Sequence, residues 1–552
     1  MKIFSGTSMR FGGSGLYSSS LTAVASALIA LAPSLARGQN APIDASRDRP
    51  LSPIVQQLDH ISTPMENELF PLDDAPASVV LTGAREPLTS TDSFDVAEAP
   101  LTDGQRLLAS ALDNWVKAPI SRADAAERRR QRAAIAAVYA ARAYQPLWRD
   151  GAPDDAAWLP AATSAAERLR YASEDGLDLR GYILPAVDQG ASNIEDELAL
   201  SEAVVAYAAQ AAGSRVDPQR ISRLIGARPR LPNTEAVLIN VAAGGAEAGD
   251  ILEAYNPPHY GYQLLKAKLA ELRAGRAMDD RSAVRLALAD SARDDGPSAA
   301  GRTRRRSAKR ARFSSSHLEA EVIANMERWR WLPRDLGESR IEVNIPEFEL
   351  AVIRDGAVTH RARIIVGKEK TPTPVFSNAV QFIIVNPYWN VPPSILNKEM
   401  LPQSGGDVLA LEQRGFQVSY HHGKLRVRQP PGERNALGRI KFMFPNDFSV
   451  YLHDTPSRHL FSASHRAFSH GCMRVDQPFA LAEVVLGPGS GWSEKRVRRL
   501  VGGSERYINL SKPLPIHIEY FTAYVDEDGQ LQLRDDLYGY SARVRRELGL
   551  GG

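Results

Sequence analysis

The sequence predicts an α+β multidomain protein: an all-helical domain followed by a β-rich domain that carries a capping insertion. Three observations predict it. At 552 residues the chain has room for about three or four domains. Between 101 and 280, side chains recur at helical spacing, as in Ile135, Val138, Tyr139 and Arg142 and again in Val204, Val205, Tyr207 and Ala208. From 317 the period falls to two, with alternating runs at 340–345, 348–353 and 358–364.

Composition narrows the function classes. Hydrophobic residues at 43% and charged residues at 24% exclude a wholly disordered chain and a polytopic membrane protein. Lys plus Arg number 67 against Asp plus Glu at 65, a net +2 that gives no field for drawing in nucleic acid. One cysteine, Cys472, excludes an intrachain disulfide and any multi-thiolate metal cluster.

Residues 1–36 read as a signal peptide. Lys2 and Arg10 precede the apolar run 21–32, too short to span a bilayer, and small residues Ser34 and Ala36 place cleavage after Ala36. The mature protein is then expected to work as a soluble exported one. Residues 37–100, rich in Pro, Asp and Ser, read as a disordered tether. Residues 101–280 form the helical scaffold domain, punctuated by Gly176, Gly181, Gly213, Pro146, Pro218 and Pro257. The segment 281–316 reads as a basic disordered linker, since 302–312 holds seven positive charges in eleven residues.

A short helix at 318–330 opens the β-rich domain, 317–540, and a tail of 541–552 follows it. Asp355-Gly356 and Asp528-Gly529 signal hairpins. Further strands are expected at 380–385, 416–420, 424–427, 448–452 and 515–524. The stretch 393–438, long for a plain connection, reads as an insertion capping a cleft, and its adjacent His421 and His422 as a solvated strand end.

The chemistry concentrates near the cysteine. Four of the eleven histidines, His453, His459, His465 and His470, lie just before Cys472. A thiol near its ordinary pKa is mostly protonated at neutrality and becomes an efficient nucleophile when an imidazole takes its proton. Gly471 lets the backbone turn sharply, and the amides of Gly471 and Cys472 can face a developing oxyanion. A buried apolar cysteine, or zinc held by Cys472, His453 and His470, are the competing readings, although the usual zinc-ligand spacing is missing.

His453, fifteen intervening residues, then Ser469-His470-Gly471-Cys472-Met473-Arg474 closely resembles the signature of the L,D-transpeptidase (YkuD-type) catalytic domain. The likeness extends through Val343 to Leu350, Ile365 to Lys368, Thr373 to Ser377 and Asn386 to Pro392. Tyr144 to Trp148 and Gly176 to Asp178 resemble the helical scaffold of the large proteobacterial members. Such proteins commonly insert a peptidoglycan-binding helical module before the catalytic domain, whereas here only 260–276 precedes the basic linker.

The resemblance implies peptidoglycan L,D-transpeptidation without a cofactor or metal. Cys472 would be the nucleophile and His453 the general base, oriented by the main-chain carbonyl of Asp454, with the Gly471 N–H as an oxyanion donor. His470, Arg474, Trp389 and Tyr388 would line the stem-peptide site. Implied partners are peptidoglycan stem peptides, outer-membrane protein acceptors and carbapenem-type inhibitors. An L,D-carboxypeptidase using water, or a non-catalytic wall-binding scaffold, are the alternatives.

Overall fold

The computed structural model describes residues 100–120, 125–150, 157–187, 193–274, 284–286 and 315–551. The signal peptide, almost all of the tether and most of the basic linker lie outside the described residues.

The N-terminal region is built on helices α1 (Asp103–Lys117), α2 (Ala125–Ala141), α3 (Pro160–Arg170), α4 (Ile194–Ala211) and α5 (Thr234–Ala243). Thr102 starts α1 with a capping box in which its hydroxyl accepts from the Gln105 amide at 3.3 Å and the Gln105 side chain accepts from the Thr102 amide at 2.7 Å. The core holds Leu108, Leu112, Ile135, Tyr139, Trp148, Leu169, Val204 and Tyr207.

One buried carboxyl organises that core. Glu197 of α4 accepts from the Tyr139 hydroxyl at 2.8 Å and the Leu147 amide at 2.6 Å. The Trp148 ring nitrogen donates to Ser201 Oγ, one turn further along α4, at 2.8 Å. The segment 144–148, which carried the scaffold likeness, is thereby pinned to α4.

A later helix, α6 (Tyr260–Arg273), bonds to the helical region through Tyr262 and Arg273 and also enters a second core. Leu265, Leu269 and Leu272 join Val322 and Met326 of α7 (Ser315–Trp329) in the core of the C-terminal domain. Just beyond α7, Arg330 donates to the Asp175 carbonyl at 2.7 Å and to Asn256 Oδ1 at 3.1 Å, tying the two regions together.

Two short strands, β1 (Arg149–Asp150) and β2 (Ala157–Trp158), pair within the helical region. Inside the expected linker, β3 (Val284–Leu286) runs parallel to Leu531–Leu533. The C-terminal domain then supplies β4 (Arg340–Asn344), β5 (Glu349–Arg354), β6 (Ala357–Gly367), β7 (Phe376–Val385), β8 (Trp389–Asn390), β9 (Gln417–His421), β10 (Lys424–Gln429), β11 (Ile440–Met443), β12 (Leu452–His453), β13 (Ala467–Ser469), β14 (Met473–Val475) and β15 (Arg506–Glu519). The main sheet runs β13-β6-β14-β12-β11-β7-β15-β4-β5, and pairing of β5 with β6 closes it on itself. Closure leaves few exposed edges and encloses Ile341, Val343, Ile364, Ile383, Phe442, Leu452, Met473 and Ile516.

Asp355-Gly356 makes the β5–β6 turn, both residues having positive φ, at 50° and 77°. The strand expected at 448–452 shrinks to Leu452–His453. Asn446 is the reason: its Oδ1 accepts from the Phe448 amide at 3.1 Å and its Nδ2 donates to the Val450 carbonyl at 2.8 Å, folding this stretch into a turn.

The insertion 393–438 has a small core of its own. Trp389, Ile395, Leu396, Met400, Leu411, Phe416, Val427 and Leu437 pack together, beneath a three-stranded sheet in the order β8-β10-β9. His421 and His422 sit at its exposed hairpin tip.

Candidate active site

β12 lies between β11 and β14, antiparallel to the first and parallel to the second, with His453 opposite both Lys441 and Arg474. The Met473 amide donates to the Tyr451 carbonyl at 3.1 Å, so the pairing continues backward and sets Tyr451 beside Cys472. Strand side chains alternate, so Lys441, His453, Arg474 and Tyr451 share one face. Cys472 is thereby a diagonal neighbour of His453.

His453 is buried, and its Nδ1 lies 2.5 Å from the Asp454 carbonyl oxygen. A carbonyl can only accept, so Nδ1 carries the proton and Nε2 is the basic nitrogen. Burial, then the Arg474 charge, lowers the imidazole from 6.5 to about 3, and the Asp454 carbonyl opposes this only partly. The imidazole is therefore neutral at physiological pH.

The Asp454 side chain points away from the imidazole. Its Oδ2 accepts from the Arg439 amide at 2.9 Å and its Oδ1 pairs with Arg458 at 2.7 Å. Burial pushes this carboxyl above its usual value, with Arg458 opposing. Gly438, at φ +63°, makes room: a Cβ there would fall 2.5 Å from Asp454 Cγ.

The nucleophile loop is braced from the segment after β6. The Lys368 amide donates to the Ser469 carbonyl at 2.9 Å, and Thr373 Oγ1 donates to the Gly471 carbonyl at 2.9 Å. Gly367 permits the approach, since a Cβ there would fall 2.1 Å from the Thr371 carbonyl oxygen. Gly471 itself takes φ +118°, which an L side chain rarely adopts.

Several expected site residues sit differently from their sequence-based assignment. The Gly471 amide is not open to an oxyanion in this state, because it donates to Ser469 Oγ at 3.2 Å. Cys472 is only 4% exposed. Arg474, 2% exposed, lies within the sheet rather than on a cleft surface, and its charge helps to lower the His453 imidazole. His470 is half-buried beside the loop.

Trp389 is not a wall over the cleft. It is 4% exposed and packs 6.5 Å from Phe416, ring to ring, in the cap core. Tyr388 is half-buried, with the Arg428 guanidinium 4.3 Å from its ring centroid. Trp389→Ala should therefore act on stability: about 3–5 kcal/mol lost from the cap, read as faster hydrogen exchange across 389–437. A raised KM with unaltered cap exchange would restore the wall assignment.

Two residues near the sulfur escaped sequence reasoning. The Tyr451 hydroxyl is hydrogen-bonded to the Cys472 side chain. Lys441 Nζ stands 5.5 Å from the Tyr451 ring centroid. Stepping two residues back from His453 could have found Tyr451; nothing in the sequence pairs Lys441 with it. Among the described residues, no three or more His, Cys, Asp or Glu side chains are arranged to hold a metal ion.

The L,D-transpeptidase catalytic domain family, YkuD, matches residues 338–501, and the Scaffold domain family matches 133–269. Residues 133–269 thus match a Scaffold domain and residues 338–501 an L,D-transpeptidase catalytic domain, in that order along the chain. A Haemophilus influenzae protein provisionally named an L,D-transpeptidase is 32% identical over 250 residues, which are 42% of this chain and 50% of that relative. The chain thus spans about half the length of the curated relative it matches. An Enterococcus faecium L,D-transpeptidase mutant structure is 14% identical over 33% of this chain and 50% of its own, with a TM-score of 0.18. The Ldtfm-avibactam carbamoyl enzyme gives 14%, 34%, 50% and 0.18 for the same measures. Scores that low carry no argument about the L,D-transpeptidase domain. The family boundaries enclose His453, Asp454, His470, Gly471, Cys472 and Arg474.

Proposed function

We propose that this chain is a periplasmic peptidoglycan L,D-transpeptidase, exported by residues 1–36, with Cys472 as nucleophile. The observation that carries the reading is the His453 imidazole held by the Asp454 carbonyl on the same sheet face as the neighbour of Cys472. The Cys472 sulfur attacks the carbonyl of the third stem residue, an L-configured diaminoacyl centre. Its proton passes to His453 Nε2, the C–N bond to the terminal D-Ala breaks, and the same proton leaves on the departing amine.

The resulting thioester is resolved by an amine, and a neighbouring stem gives a 3–3 cross-link. During attack the oxyanion draws on the Cys472 amide and on the Gly471 amide after it exchanges its Ser469 bond. Burial, with the Arg474 charge adding to it, keeps His453 unprotonated, and Arg474 braces the strand. Stem-peptide binding is assigned to His470 and Tyr388 at the half-buried flank, with the cap shifting to admit substrate. Neither cofactor nor metal enters any step.

Incubating the full mature chain with a defined tetrapeptide muropeptide tests this by mass. A 3–3 dimer supports the reading. Tripeptide alone assigns a carboxypeptidase, and no product at all leaves a wall-binding scaffold. An outer-membrane protein acceptor would appear as a stem-linked protein adduct.

A further inference from the structure

The resting site poses a proton-transfer problem. An ordinary thiol titrates near about 8.5, whereas burial and Arg474 hold His453 down at about 3. Moving the proton from sulfur to Nε2 is then uphill unless the sulfur charge is stabilised. Two groups are placed to do so. The Tyr451 hydroxyl meets the sulfur, and the Lys441 ammonium stands over the Tyr451 ring and feels the charge of Cys472.

We propose that Tyr451 is a further catalytic residue, its hydroxyl donating a hydrogen bond to the Cys472 thiolate, with Lys441 as the positioning cation beside it. This rests on Cys472 being the nucleophile. In the step, the S–H electron pair stays on sulfur while the proton goes to His453 Nε2. The C–S bond then forms as the carbonyl π pair moves onto oxygen. Tyr451 keeps its own proton throughout, because burial and the Cys472 charge push the phenol far above its usual value.

The groups facing this pair are few. Glu505 and Cys472 face Lys441, His453 lies opposite it and edge-on to the Tyr451 ring at 5.7 Å, and Arg474 shares the same sheet face. The ring also packs against both the cap core and the barrel core, so it fills space that phenylalanine fills equally well. The hydroxyl alone carries the assigned chemistry, which makes the two contributions separable.

The test is the pH dependence of Cys472 alkylation by iodoacetamide, followed by intact mass on the full mature chain. Tyr451→Phe should raise the alkylation midpoint by about one pH unit and slow the reaction about tenfold below it, with the thermal midpoint unchanged. Lys441→Met should move it the same way by less, and Lys441→Arg should restore it. Profiles for Tyr451→Phe that superimpose on the wild type overturn the role; if that variant fails to fold, a Lys441→Met profile identical to wild type does so. Alkylation needs no stem peptide. Absence of an acyl-enzyme with the muropeptide in the wild type therefore sinks the proposed function alone, and superimposed profiles sink the Tyr451 role alone.

Discussion

Cys472→Ser is expected to fold and to lose roughly three powers of ten or more in stem-peptide turnover, since a hydroxyl is far less acidic and less nucleophilic than a thiol. The bracing of the loop does not involve the sulfur. The Thr373 and Ser469 hydroxyls and the Lys368 amide hold its main chain, so the loop should keep its shape. The serine hydroxyl inherits the Tyr451 hydroxyl as partner, which limits the cost of burying it to about 1 kcal/mol. Intact-protein mass after exposure to a carbapenem reads the same site without a stem peptide: the wild type should gain one adduct and the serine variant none. Dimer formation by the variant at even a few per cent of the wild-type rate would remove Cys472 from the chemistry.

What was legible in the sequence was whatever a local pattern fixes. Period-two runs placed β4, β5 and β6, and Asp355-Gly356 placed their turn, because pleat and turn chemistry are properties of neighbours along the chain. The same alternation turns the Asp454 side chain to the other face from His453, which leaves its carbonyl at the imidazole. The signature around Cys472 carried the family.

What was not legible depended on partners distant in sequence. Trp389 looked like a cleft wall because its Pro- and Asn-rich surroundings read as a loop, yet the cap folds a separate core around it. The strand expected at 448–452 yielded to the side chain of Asn446. Lys441 stands beside His453 only because β11 pairs with β12 in one register. A one-residue slip would turn it to the other face. Likewise the depth of Cys472 and the commitment of the Gly471 amide to Ser469 are tertiary facts.

His453→Ala is expected to cost about two to four powers of ten in acylation rate, the range for removing a positioned general base, and to change how stability depends on pH. The wild-type imidazole titrates near about 3 when folded, against 6.5 for the ordinary group. Between those values the unfolded chain binds a proton that the folded chain does not. Stability must therefore fall as pH drops below 6.5, by up to about 1.4 kcal/mol per pH unit, and the loss is complete only near the folded value. Alanine removes the titrating group but leaves a cavity whose cost does not vary with pH. Urea unfolding at pH 7.5 and pH 4.5 separates the two: the variant should be less stable than wild type at the higher pH and should recover about 2–3 kcal/mol relative to it at the lower. Equal differences at both pH values would mean that His453 titrates in the folded site as it does in the unfolded chain. In that case it could accept the thiol proton only above about its ordinary value, and the acid limb of acylation, expected far below pH 6.5, would lie near it instead.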